Sequence, residues 1–80
     1  MSAFNIVIAS NRRFRQWAQA NPTLAGEKYF YGYRRAINVS HPDEMEKLSG
    51  LEIEHVYYLE DVGLRGDDVS YLREIGHGER

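Results

Sequence analysis

Ser10-Asn11-Arg12-Arg13 is the stretch in which residue type and spacing come closest to a ligand site. It follows directly on the apolar run Phe4–Ala9, so a strand would hand over to a helix at a serine and an asparagine that can both cap. A helix N-terminus offers unpaired N–H donors to an anion, and adjacent guanidiniums strengthen such a site. The chemistry this implies is binding of phosphate, nucleotide or nucleic acid. The plainer reading is preferred: Ser10 and Asn11 only cap, while Arg12 and Arg13 are solvated or pair with acids elsewhere in the chain.

Other polar clusters fall short of catalysis. Ser40, His41 and Asp43 lie on one capping turn, where they cannot form a line of nucleophile, base and orienting group. Glu60 and Asp61 are sequence neighbours, so in a strand they point to opposite faces and make a poor acid–base pair. Such a carboxylate pair would hold Mg²⁺ only with substrate phosphates completing its shell. His55 falls among apolar residues on a strand face and reads as a packed or half-buried histidine. The three histidines are far apart and the chain has no cysteine, which excludes disulfides and thiolate metal sites. No catalytic residue, metal or cofactor is expected, and the chain reads as a non-enzyme.

A different chemistry is suggested by Tyr29, Phe30, Tyr31 and Tyr33, followed by Arg34 and Arg35. Tyrosine with arginine is the mixture of protein interfaces, and the same mixture stacks on single-stranded bases. Tyr29, Tyr31, Tyr33, Arg34 and Arg35 are taken as an interface, with packing under helices and nucleic-acid binding as the alternatives.

The elements that must position these residues follow from periodicity. Residues 4–9 are apolar on both faces, the pattern of a central strand covered on two sides. Phe14, Trp17 and Ala18 form one stripe of a helix that Asn21-Pro22 stops. Thr23 to Gly26 reads as a loop. Glu27 to Val39 alternates and reads as one long strand, with a break at Gly32 leaving Ala36–Val39 as the core segment a close second. Ser40 and Asp43 predict a capping box for a short helix with Met45 and Leu48 inward, closed by a left-handed Gly50. Leu51 to Leu59 predicts a strand with Leu51, Ile53, His55, Tyr57 and Leu59 on one face. A last helix begins at Asp67 or Asp68 with Val69, Leu72 and Ile75 inward, and 76–80 is expected to be a flexible tail. Right-handed crossovers then give an α/β fold: a three-layer βαβαβα with a small parallel sheet, strand order 2-1-3. In such a sheet the turns at Ser10–Arg13, Ser40-His41 and Glu60-Asp61 converge at the C-terminal strand ends, where ligands bind.

The run from Ser40-His41-Pro42-Asp43 to Gly50-Leu51, continued by His55-Val56-Tyr57-Tyr58-Leu59-Glu60-Asp61, resembles the approach to the second acidic motif of P-loop NTPases. It is also similar to small uncharacterised α/β proteins of bacteriophages that carry this half-fold alone. The resemblance spans residues 4–75 in architecture and implies a Rossmann-like or P-loop-like half-domain. The chain departs from that pattern where the chemistry would lie. The Walker A sequence G-x-x-x-x-G-K-[ST] is missing, the first turn reads Ala9-Ser10-Asn11-Arg12-Arg13, and the acids come as Glu60-Asp61 instead of Asp-Glu. A G-x-G-x-x-G dinucleotide fingerprint is missing as well.

Eighty residues with 42% apolar content are enough for one domain with one modest core. The net charge of −2 conceals two unlike halves. Residues 1–40 carry six cations against Glu27 alone, a balance of +5, and residues 41–80 carry four cations against eleven acids, a balance of −7. Opposite halves can pair within the fold, meet an acidic partner or nucleic acid, or drive head-to-tail association. No signal peptide or membrane span is recognised, so a cytoplasmic protein is expected. The combined expectation is a small protein-interaction module that binds itself as a dimer or binds a host protein.

Overall fold

A computed structural model describes residues 3–30 and 32–76. β1 (Phe4–Ile8) lies at the centre of a three-stranded sheet, between β4 (Ala36–Val39) and β5 (Ile53–Tyr58), and runs parallel to both. Its alternation sends side chains into two separate clusters. Val7 and Ala9 pack with Phe14, Trp17 and Ala18 of α1 (Asn11–Ala20) and with Ala25 of α2 (Pro22–Ala25). Ile6 and Ile8 pack with Val39, with Leu48 of a 3-10 helix (Pro42–Leu48), and with Leu72 of α3 (Gly66–Ile75). Each cluster covers one face of β1, which is why a strand apolar on both sides sits in the middle.

The segment 27–39 is not one strand. It divides into β2 (Lys28–Tyr29) and β3 (Gly32–Tyr33), paired antiparallel as a hairpin, and then β4. β2 and β3 run in opposite directions, so the alternation of tyrosines does not describe a single face. Lys28 lies opposite Tyr33, and Tyr29 lies opposite Gly32. Residues 23–25, read as loop, complete the short helix α2 behind Pro22, whose fixed φ suits a first helical turn.

Two further expectations are corrected. The Ser40–Asp43 capping box does not form. His41 is the N-cap, its Nδ1 accepting the Asp43 N–H at 3.1 Å, while the Ser40 N–H and hydroxyl donate to Glu44 Oε1 at 2.8 and 3.2 Å. The last strand does not keep strict alternation either. Phe4 pairs with Ile53 and Asn5 with His55, so Glu54 is an extra residue, and the bulge flips the face of everything after it. Ile53 and Val56 therefore belong to one cluster, Tyr57 and Leu59 to the other, and His55 is exposed. Gly50 does adopt the left-handed conformation, φ 78°. α3 begins at Gly66, one residue before the expected start, with the Arg65 N–H donating to Asp68 Oδ2 at 3.1 Å. Of the expected tail, residues 77–80 lie outside the described residues, as does Tyr31 of the expected interface.

Candidate functional site

At the C-terminal ends of the strands, Ser10 caps α1 as expected, its Oγ accepting the Arg13 N–H at 3.2 Å. The Ser10 N–H donates to Glu60 Oε1 at 2.7 Å. The carboxylate that follows β5 thus sits where a ligand anion would meet the chain after β1. The hydrogen bonds from the Ser10 N–H and hydroxyl, together with the Arg13 charge, hold the Glu60 carboxyl below its ordinary value, against a small opposing effect of burial. Asn11 and Arg12 are exposed, Arg13 half-buried. The turn after β4 is satisfied in the same way. Burial pushes the Glu44 carboxyl up, but the Ser40 N–H, the Lys47 charge and the Ser40 hydroxyl outweigh it and leave it lowered. Both turns use carboxylates of this chain where a phosphate-binding fold would place a ligand. Among the described residues no group of three or more His, Asp or Glu side chains is placed to hold a metal ion.

The expected interface is distributed differently. Tyr29 is 49% exposed and Phe30, at the hairpin tip, is 88% exposed. Tyr33 turns inward and meets Phe14 edge-on at 5.6 Å between ring centroids. Arg34 pairs with Glu27 at 3.3 Å inside the cationic half, and Arg35 pairs with Glu54 of the acidic half at 3.4 Å. These pairs are exposed and contribute little to stability, so the placement of the hairpin rests on the backbone around them.

That placement has a firm local cause. Gly26 has φ +78°, and a Cβ there would come within 2.8 Å of Arg35 Cγ. The Arg35 N–H donates to Ala25 O at 2.9 Å and the Arg34 N–H to Glu27 O at 2.9 Å. From below, fully buried Asn5 donates through Nδ2 to Leu24 O at 2.9 Å, tying α2 to the central strand, while its Oδ1 has no partner among the described residues. The hairpin so held forms one wall of a groove of about 580 Å³ beside β4. Lys28, Tyr29 and Phe30 line it from the hairpin, Phe14 and Arg15 from α1, and Lys47 from the 3-10 helix.

Arg15, Lys28 and Lys47 carry no signal that would single them out in the sequence, since each lies on a different element. Phe30 is legible only as a member of the aromatic run. Taken together, the fold and these two surfaces define a small mixed α/β protein with a parallel three-stranded sheet. No protein-family model, curated protein or solved structure matches the chain. Among the described residues no helix is long and apolar enough to cross a membrane.

Proposed function

We propose that this chain is a non-enzymatic protein-interaction module, of the kind bacteriophages encode, that works in the cytoplasm by binding a second copy or another protein through the β2–β3 hairpin. The frame behind it is a three-layer βαβαβα with order 2-1-3 once the hairpin is set aside, and the two clusters on opposite faces of β1 support that reading. The observation that carries the function is the hairpin tip. Phe30 is 88% exposed beside a half-exposed Tyr29, on an arm whose base is fastened by Gly26 and Asn5. A small domain has few apolar groups to spare, and a large ring held in water on a fixed arm suits an interface anchor.

A photo-crosslinking residue tests this. Phe30→benzoylphenylalanine, illuminated in the native cell, should give one discrete adduct, either two copies of the chain or one copy with a single partner. Tyr71→benzoylphenylalanine, on exposed α3, should give none. An absence of adducts at position 30, or equal adducts at both positions, would overturn the proposal.

A further inference from the structure

Resting on that reading, we propose that the groove along the outer edge of β4 receives an extended acidic peptide segment of a partner protein, laid beside β4 as an added strand. The backbone provides the first argument. The Asn5 N–H donates to Arg35 O at 2.8 Å and the Ala9 N–H to Val39 O at 3.2 Å. In a parallel ladder alternate residues face the same neighbour, so residues 35, 37 and 39 face β1, while Ala36 and Asn38 direct their backbone groups to the outer edge. Lys47 Nζ takes the Asn38 carbonyl at 3.0 Å. The Arg34 N–H is held by Glu27 O and the Ser40 N–H by Glu44, so the edge is closed at both ends. Among the described residues no bond is made to the Ala36 N–H and C=O or to the Asn38 N–H between those closures, and both residues line the groove, Ala36 at its buried floor. Donors and an acceptor in a row are what a peptide backbone pairs with when it adds to a sheet edge.

Charge and shape give the second argument. Among the described residues the groove lining includes Arg15, Lys28 and Lys47 and no carboxylate. Lys47 is shared with Glu44 at 3.5 Å, whereas Arg15 and Lys28 have no ion-pair partner among the described residues. Tyr29 and Phe30, both exposed, line the same groove with buried Phe14 and add apolar surface for side chains of an extended segment. β4 itself extends for about 13 Å at the rise of a strand, which sets the length of the paired part. A nucleic-acid strand could use the cations and the rings. Its phosphodiester backbone, however, has no donor for the Ala36 carbonyl, so the edge favours a peptide.

The test uses a fluorescein-labelled Glu-Val-Glu-Val-Glu-Val peptide, its Lys-Val counterpart, two versions N-methylated at the Glu or at the Val positions, and a ten-nucleotide oligothymidylate. Anisotropy should report binding of the acidic peptide at low salt, weakening as salt rises. Arg15→Glu with Lys28→Glu, both exposed positions, should lose about tenfold or more in affinity with an unchanged circular dichroism spectrum. One N-methylated version should lose a similar factor, and the Lys-Val peptide should not bind. No binding of the acidic peptide, equal binding of both N-methylated versions, or tighter binding of the oligonucleotide would overturn the inference. So would a dimer, seen by sedimentation, that the same double substitution dissociates, because a second copy would then fill the groove. An adduct at position 30 without peptide binding defeats the groove alone. Peptide binding without that adduct defeats the hairpin reading instead.

Discussion

Glu60 is the residue with the clearest electrostatic consequence. Its carboxyl is held below the ordinary value in the folded chain, chiefly by the Ser10 N–H. A group with a lowered folded pKa favours the fold above its unfolded pKa and loses that contribution as the pH falls through the folded one. Thermal midpoints should therefore fall in acid, and Glu60→Gln should flatten part of that fall while lowering the midpoint slightly at neutral pH. Glu44 is lowered in the same direction and keeps the remaining acid sensitivity in that variant. Melts from pH 7 down to the carboxylate range check both statements; identical acid limbs for the two proteins would refute them. The same contact occupies the N–H of the first residue of Ser10-Asn11-Arg12-Arg13. Ser10 caps α1 through its Oγ, and the carboxylate at its N–H is Glu60, fifty positions further along, with the Arg13 charge nearby.

Among the elements, the hairpin matters most and is the least regular. Its two strands have two residues each, too few to hold together unaided. The base at Gly26 and the Tyr33–Phe14 contact hold it instead. Gly26→Ala should cost roughly 2–4 kcal/mol, since it adds a clash with Arg35 to the strain of a positive φ. Gly63→Ala is the control: φ is +87° there, with nothing within 4 Å of an added Cβ, and about 1 kcal/mol of strain alone is expected. Chemical denaturation of the two variants reads the difference, and equal losses would remove the Arg35 contact as a cause. The expectation of one long strand over 27–39 fails here for a physical reason. Alternation reports which side chains share a face only while the chain stays extended, and the antiparallel return of β3 along β2 cancels it.

For the whole molecule, two small clusters on either side of one five-residue strand carry the stability. Leu72 is fully buried and is α3's one buried apolar residue. Leu72→Ala should cost roughly 2–5 kcal/mol, a large share of the roughly 5–15 kcal/mol typical of a folded domain. A loss of less than about 1 kcal/mol in denaturant titrations would show that α3 does not close the second cluster.

What the sequence alone determined is the short-range part of this protein. A strand apolar on both faces had to be central, the Phe14–Trp17–Ala18 stripe had to face it, and Asn21-Pro22 and Gly50 had to end their elements where they do. Each follows from sterics and burial acting over a few residues. Only the tertiary structure decided the rest. The bulge at Glu54 depends on what Phe4 and Asn5 pair with, and the groove depends on bringing Arg15, Lys28 and Lys47 to one strand edge. Ser10 meets a carboxylate fifty positions away. Such contacts leave no local period to read, because they arise from how packed elements meet and not from how any one of them repeats.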